Sequence, residues 1–234
     1  IRRQRQMCIR DRCEMIPLEV VARRYAVGSY LKRHPELVKP EGELPHRFDQ
    51  LVVEFFLKTT GGKLINSYGL TVVEGLDPKA GEEDPFIVNP GQDEWQLYHS
   101  KRPAWDPTAD LKRVVRAADV VPNRELMVRM VDITQRVFLV LEGAWAMLGC
   151  RLIDFKIEFG LGPDGQPYVA DVVDNDSWRL KNANWEELSK QLFRDGEKLA
   201  VVEDKYALVA ALAERFHVSR QALVLWRGSS SDDF

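Results

Sequence analysis

Residues 152–160, LIDFKIEFG, constrain the fold more than any other stretch, because apolar and charged side chains alternate without a break from Ile153 to Phe159. Asp154, Lys156 and Glu158 occupy every second position, and hydrophobic residues fill the positions between them. Successive side chains of a β-strand point to opposite faces of a sheet, so this period of two predicts a strand. One face would bury against a core, and the other would carry a row of charges about 6.5–7 Å apart.

The charged row has two interpretations. The simpler one is the solvated outer face of a sheet, which is what most strands with this pattern present. The other is a functional site, since carboxylates that flank a lysine can hold a metal ion together with an anionic ligand.

The residues that follow favour the site. GLGPDGQP at 160–167 separates the strand from a second alternating run at 168–173, a pattern typical of a β-hairpin. The return strand would bring Asp171 across from the Glu158 region, with Asp174, Asp176 and Arg179 just beyond it. Facing carboxylates repel and raise one another's pKa unless a cation lies between them. We therefore expect Mg²⁺ and a nucleotide here, with a simple cross-strand ion pair of Lys156 as the alternative.

The rest of the chain predicts an α+β fold with a mostly antiparallel sheet and packed helices. Apolar periodicity predicts a long amphipathic helix at 123–148, with its Met and Trp residues in the core. Residues 59–107 are rich in Gly, Pro, Asp and Asn and predict a long irregular surface insertion. The remaining predicted elements are strands at 15–22, 51–58, 70–73 and 222–226, a turn or helix start at 28–29, and helices at 184–194 and 205–216.

Composition excludes several classes of protein. The chain has 234 residues, a formal net charge of −3 and a pI of about 5.9, so it has no basic surplus for nucleic acid. Its longest apolar region, 137–150, is interrupted by Glu142 and is too short to span a membrane. The three cysteines form neither a metal-type spacing nor a disulfide framework, which fits a cytoplasmic protein.

A second constellation lies in MIPLEVVARRYAVGS, at 15–29. Arg23 and Arg24 precede Gly28 and Ser29. Arginine side chains, a hydroxyl and backbone N–H groups at a glycine turn suit a phosphate monoester. A solvated arginine pair is the alternative.

Together these segments resemble the SAICAR synthetase (phosphoribosylaminoimidazole-succinocarboxamide synthase) family. MIPLEVVARRYAVGS and LIDFKIEFG are similar to its two long signatures, although Val27 stands where the family prefers Ala or Thr. ADVVDNDSWRL resembles the following segment of animal bifunctional members, and LSKQLFRD a later element. The resemblance covers about residues 13–215 and implies an ATP-grasp-like fold.

The resemblance also implies a reaction. ATP, a carboxylated aminoimidazole ribonucleotide (CAIR) and L-aspartate give the succinocarboxamide, ADP and phosphate in purine biosynthesis. Lys156, Glu158 and Asp171 would hold ATP and Mg²⁺, with Glu158 and Asp171 as metal ligands. Catalytic roles fall to Asp154, which would orient Lys156, to Lys156 itself, and to Asp176. The substrate-binding residues would be Arg23, Ser29, Arg179, Lys190 and Arg194.

Both ends of the chain differ from the central part. Residues 1–12 have no apolar periodicity, and we set them apart from the catalytic domain at 13–217 as a doubtful, non-native segment. The family's N-terminal β-rich part, which covers the nucleotide phosphates, is not found, so this fragment alone is expected to be inactive. Residues 218–234 are similar to the start of an AIR carboxylase domain, with Arg227 in place of the usual Met. A fused carboxylase and a homo-oligomer both stay open.

Two rival functions remain at this point. One is a non-catalytic protein that binds nucleotide, and the other is an ATP-grasp-type kinase acting on a small molecule.

Overall fold

The computed structural model describes residues 13–189 and 199–216. Its centre is an antiparallel sheet whose strands follow the order β10-β8-β1-β2-β5-β6-β7, with β9 paired to β8. The two long central strands are β1 (Glu14–Tyr25) and β8 (Arg151–Leu161), and β2 (Arg47–Leu57) lies on the other side of β1. The predicted α+β fold with a mostly antiparallel sheet is confirmed.

Shorter strands complete the sheet. They are β5 (Phe86–Ile87), β6 (Glu94–Tyr98), β7 (Asp110–Arg116), β9 (Pro167–Val169) and β10 (Trp178–Lys181). A separate two-stranded hairpin consists of β3 (Leu64–Ile65) and β4 (Thr71–Val73). The helices are α1 (Ser29–Arg33), α2 (Arg124–Met147) and α3 (Leu199–Ala213), with short 3₁₀ turns at Pro35–Leu37 and Ala117–Asp119.

The two faces of the sheet have different functions. Leu18, Val20 and Ala22 of β1 are fully buried and belong to one core cluster with Phe138 of α2. Phe138 meets Phe155 of β8 edge to face, with ring centroids 5.7 Å apart. The intervening residues of β1 point to the opposite face, where they line a cleft. The alternation in 152–160 thus separates a core face from a cleft face, as predicted.

Helix α2 confirms the predicted helix at 123–148. Asn123 caps it, because its side-chain oxygen accepts a hydrogen bond from the backbone N–H of Leu126 at 2.9 Å. Trp145 is fully buried and lies against Trp178 of β10 and Phe216 after α3. Val140 belongs to the apolar residues at helical spacing but is exposed. No helix within the described ranges is both long and apolar enough to cross a bilayer.

The prediction of an irregular surface insertion at 59–107 is wrong in part. Strands β5 and β6 join the main sheet, and Trp95 and Leu97 of β6 are fully buried in the core. The adjoining strand β7 was not predicted at all. A two-residue strand such as β5 carries no periodicity of its own and is stabilised by pairing with its neighbours, while the surrounding Gly and Pro residues indicate loop.

Other boundaries also change. Strand β1 continues past its predicted end at 22 to Tyr25, and β9 ends at Val169 rather than at 173. Helix α1 begins at Ser29, where a turn or helix start was predicted. Residues 184–189 are not helical, since Glu187 forms an isolated antiparallel bridge with Lys181. The predicted helix at 205–216 begins earlier, at Leu199. Residues 1–12, 190–194 and the predicted strand at 222–226 lie outside the described residues.

Candidate active-site cleft

A cleft of about 690 Å³ opens on the sheet face that is opposite α2. Its floor comes from β1, β8 and β10, and its walls come from the start of α1 and from two turns, at 83–84 and 100–101. Charged side chains dominate the described lining: Glu19, Arg23, Lys32, Glu83, Asp84, Lys101, Asp154, Lys156, Asp176 and Arg179. This cleft brings together most of the residues that the sequence singled out.

A line of alternating charges runs from beneath the cleft into its floor. It runs from Arg33 through Glu54, Arg23 and Asp154 to Arg179. The order follows from sheet register, because Asp154 of β8 pairs with Arg23 of β1 on one side and with Arg179 of β10 on the other. Asp154 accepts hydrogen bonds from both arginines. Such close pairing offsets the cost of burying a carboxylate that is only 4% exposed.

Arg23 stays charged despite its burial. Burial alone lowers the pKa of its guanidinium, but the neighbouring Asp154 and Glu54 carboxylates outweigh that effect and leave the pKa raised. Its Nε donates to Glu54 at 2.6 Å, and its NH2 lies 3.2 Å from the Ser29 hydroxyl oxygen. The arginine is therefore held in one orientation, beside the glycine turn that begins α1.

This end of the cleft suits an anion. The line contains three arginines and two carboxylates, so it carries a surplus positive charge, and Lys32 and Lys101 lie on the neighbouring walls. A fixed guanidinium fork together with a hydroxyl can bind a phosphate or carboxylate group. Arg23, Ser29 and Arg179, predicted as substrate-binding residues, are thus brought together.

Arg24 does not belong to this site. As the next residue along the strand, it points to the other face and pairs with Glu142 of α2, at 2.7 and 2.9 Å. Of the two arginines predicted to suit a phosphate, Arg23 therefore lies in the cleft, and Arg24 pairs with the helix.

A second group of charges lies further along the same face. Lys156 donates to Glu19 at 2.6 Å, and Lys58 pairs with Glu158 at 3.1 Å. Burial lowers the pKa of Lys58, but Glu158 opposes that effect and the net pKa is raised. The expectation that Asp154 orients Lys156 is wrong: Asp154 binds the two arginines, and Glu19 holds the lysine.

The two predicted metal ligands do not line the cleft. Among the described residues, Lys156 and Asp176 line it, whereas Glu158 and Asp171 lie outside that lining. Strand β9 ends before Asp171, and Ala170 is the residue whose backbone N–H donates to the carbonyl of Glu158. Within 13–189 and 199–216, no group of three or more His, Cys, Asp or Glu side chains is arranged to hold a metal ion. The metal role of both carboxylates stays a prediction.

Asp176 is anchored from two directions. Its backbone N–H donates to the Asp174 carboxylate at 2.9 Å, and its own carboxylate accepts from the Tyr206 hydroxyl at 2.7 Å. A residue of α3 therefore helps to position a cleft carboxylate. Lys190 and Arg194 lie outside the described residues.

Sequence reasoning missed several residues of the site: Glu19, Glu54, Lys58, Asp84 and Lys101. Three of them had a usable signal. Glu54 and Lys58 are four residues apart in LVVEFFLK, and Glu19 is four residues before Arg23, so each pair would lie on one face of its strand. Asp84 and Lys101 come from turns, and nothing local places them near the cleft.

Comparison with known proteins agrees with this geometry. A family model described as SAICAR synthetase matches residues 2–75 and 96–210. The chain belongs to the SAICAR synthetase family. The match includes α1, β1, β2, β8 and β10 and so the whole line from Arg33 to Arg179, while residues 76–95, with the Glu83–Asp84 turn, fall outside it.

Individual members of the SAICAR synthetase family are similar to this chain over most of its length. Phosphoribosylaminoimidazole-succinocarboxamide synthase from Chloroflexus aurantiacus is 35% identical over 212 residues, which are 88% of this chain and 65% of the relative. The enzyme of the same name from Herpetosiphon aurantiacus is 36% identical over 218 residues, 88% of this chain and 66% of that one. A bifunctional phosphoribosylaminoimidazole carboxylase/succinocarboxamide synthetase from Drosophila melanogaster is 33% identical over 232 residues, 96% of this chain and 44% of that one. The chain therefore spans about two thirds of the length of the bacterial relatives.

Solved structures share the fold of this SAICAR synthetase family member. A structure described as SAICAR synthetase (Type-2) in complex with ADP superposes with a TM-score of 0.56 at 24% identity, covering 86% of this chain and 64% of that one. SAICAR synthetase from Pyrococcus horikoshii gives a TM-score of 0.54 at 24% identity, with coverages of 86% and 65%.

Proposed function

We propose that the protein containing this chain is an ATP-dependent C–N ligase that joins CAIR to L-aspartate. The observation that carries the proposal is the fixed Arg23–Asp154–Arg179 line beside Ser29, on segments that match the SAICAR synthetase family. The substrate is an anionic ribonucleotide, and this end of the cleft has surplus positive charge for it.

The nucleotide would lie toward the Lys156 end. ADP is bound in the structurally similar SAICAR synthetase, which supports ATP as the co-substrate. Lys156 would neutralise phosphate charge, and Mg²⁺ would neutralise the rest and align donor and acceptor. Glu158 is held by Lys58 at 3.1 Å, so as a metal ligand it would exchange that ammonium for the cation. Mg²⁺ commonly binds proteins through one or two carboxylates plus phosphates, so Glu158 and Asp171 fit it even without a third side-chain ligand.

The chemistry requires activation of a carboxylate. A carboxylate has no good leaving group, so the γ-phosphoryl group of ATP passes to a CAIR carboxylate oxygen and releases ADP. The amine of aspartate then attacks the acyl carbon, phosphate departs with the C–O bond pair, and the nitrogen loses a proton to form the amide. Arg23, Ser29 and Arg179 would hold the ribonucleotide during both steps, and Asp176 would contact the ribonucleotide or the attacking amine.

One assay separates this proposal from its rivals. The complete protein should release ADP rapidly only when CAIR and aspartate are both present, and the succinocarboxamide should form in equal amount. Rapid ADP release without aspartate would indicate a small-molecule kinase instead. No ADP release under any condition would indicate a non-catalytic nucleotide-binding protein.

Several finer predictions accompany the proposal. They are an ATP-grasp-like architecture, an upstream β-rich part that completes the nucleotide site, a carboxylase-like segment at 218–234 and a cytoplasmic location. The bifunctional Drosophila relative supports the third. Recovery of the complete coding sequence tests the second and third together, and the mass of the complete protein in solution tests whether it forms a homo-oligomer.

A further inference from the structure

Two charged residues lie beneath the cleft without lining it. Glu54 of β2 and Arg33 at the end of α1 are 5% and 6% exposed. Neither belongs to the described lining of the cleft, and the mechanism above assigns them no contact with substrate. Their position in the charge line nevertheless connects them directly to Arg23.

Glu54 divides its two oxygens between two arginines. Its Oε2 accepts from Arg23 Nε at 2.6 Å, and its Oε1 accepts from Arg33 NH2. Because Nε of Arg23 is fixed in this way, its NH1 is directed to Asp154 and its NH2 to Ser29. The orientation of the anion-binding guanidinium therefore depends on Glu54, and that of Glu54 depends on Arg33.

Arg33 also reaches the opposite wall. Its NH1 donates to the backbone carbonyl of Ser100 at 2.6 Å, and Ser100 lines the cleft next to Lys101. Its guanidinium lies over the ring of Phe86, 4.5 Å from the centroid. One side chain thus connects the floor, the wall at 100–101 and the strand β5.

The cost of this arrangement argues against a purely structural purpose. Among the residues that the structure describes, none accepts a hydrogen bond from the buried Nε of Arg33. Burial lowers the pKa of the Arg33 guanidinium, although Glu54 opposes that effect. Buried ion pairs can often be replaced by apolar residues without loss of stability. A buried N–H without a partner adds a further cost, so this pair is weak evidence for a stabilising role.

We propose that Arg33 and Glu54 are positioning residues, which hold Arg23 and the Ser100 wall in the geometry that binds the anionic group of the ribonucleotide. This inference rests on the proposed function and deepens it. It assigns a ligand-selective role to two residues that do not contact the ligand.

The test uses Arg33→Lys and Glu54→Gln in the complete protein. Lysine keeps the charge but cannot donate to Glu54 and Ser100 in the same fork, and glutamine keeps the shape but loses the charge. Both variants should raise the KM for CAIR by on the order of tenfold to a hundredfold, while the KM for ATP changes by less than about twofold. Arg116→Lys is the matched control, because Arg116 is exposed and pairs with Asp119 on the protein surface. It should leave both constants unchanged.

A double-mutant cycle tests whether the effect passes through Arg23. Arg33→Lys should raise the KM for CAIR in the wild-type background but add little once Arg23→Lys is present. Additive effects would overturn the inference, as would an unchanged KM for CAIR in a folded Arg33→Lys variant. A fall in melting temperature with equal effects on both substrates would also overturn it, because that result indicates a structural role alone.

A measurement without turnover keeps this inference separate from the proposed function. Inorganic phosphate should raise the melting temperature of the wild-type protein by occupying the Arg23–Ser29 end, and the shift should be lost in Arg33→Lys but kept in Arg116→Lys. If ligase turnover is absent while this pattern holds, the proposed function fails and the positioning role stands. If the shift persists in Arg33→Lys, the positioning role fails.

Discussion

At the scale of single residues, Gly28 meets two requirements at once. Its φ of +59° favours glycine, and a Cβ added there would lie 2.5 Å from NH2 of Arg179. Gly28→Ala should therefore destabilise the protein by about 1–3 kcal/mol and also displace Arg179 from Asp154, which should raise the KM for CAIR. Gly61→Ala is the control, since φ is +61° there and nothing lies within 4 Å of the added Cβ. Denaturant unfolding and steady-state kinetics check both, and equal KM values in the two variants would contradict the expectation.

The variant Glu158→Gln tests whether Glu158 binds a metal ion or only lies on a solvated face of the strand. Glu158→Gln loses the ion pair with Lys58, a partly exposed contact that contributes at most about 1 kcal/mol. If Glu158 binds Mg²⁺, the variant should melt close to the wild type without ligand, yet lose most of the melting shift on addition of Mg-ATP and most of the turnover. Glu94→Gln, on the exposed side of β6, serves as control. Retention of the wild-type ligand shift and turnover in Glu158→Gln would mean that the charged row has no part in metal binding.

At the scale of secondary-structure elements, Arg24 and Glu142 join β1 to α2. The Arg24 side chain is 8% exposed, so removal of Glu142 leaves a buried guanidinium without a carboxylate and with only the backbone carbonyls of Phe48 and Asp49 as acceptors. Glu142→Ala should cost about 1–3 kcal/mol of unfolding free energy. Asp132→Ala, which removes the exposed partner of Arg136 on the same helix, should cost less than about 0.5 kcal/mol. Urea titrations of the two variants measure the difference, and similar losses would indicate that the Arg24 pair is solvated.

The predictable elements are those with long local patterns. Strand β8 and helix α2 carry their periodicity over 11 and 24 residues, and both were predicted from it. The short strand β5 was missed because two residues carry no periodicity, and its stability comes from pairing with β6 and with β2, which is remote in sequence. The same reason explains Asp154: its own strand places it on the charged face, but register with β1 and β10 decides that it pairs with Arg23 and Arg179 rather than orienting Lys156. Pairing between strands is a tertiary property that no local pattern contains.

At the scale of the whole molecule, His99 makes stability depend on pH. It is buried, Lys101 N donates to its Nδ1 at 3.0 Å, and Nε2 lies 3.2 Å from the carbonyl of Ala80, so the neutral ring fits. Burial lowers its pKa, nearby Arg102 and Lys101 add to this, and the Ala80 contact and Glu82 oppose it. The unfolded chain then takes up a proton below its pKa of about 6.5 while the folded protein does not, so stability falls as pH drops below that value.

His99→Gln should remove this part of the pH dependence. The slope due to one histidine is at most about 1.4 kcal/mol per pH unit, and it acts between the unfolded pKa and the lower folded pKa. Unfolding free energies should be measured from about pH 7.5 to about pH 5, a range that spans the unfolded pKa of about 6.5. Over this range the unfolding free energy of the wild type should fall more steeply than that of the variant. His46→Gln, at a partly exposed position, gives the comparison. Parallel curves for wild type and His99→Gln would contradict the assignment.

Strand β1 has a further consequence for how this protein can change. Its even-numbered residues from Leu18 to Ala22 build the core, and its odd-numbered residues from Glu19 to Arg23 face the cleft. Neighbouring positions therefore have different roles, because one set stabilises the fold and the other faces the ligand. A single-residue insertion within this strand would exchange the two sets and damage both at once, whereas substitutions can alter either set separately.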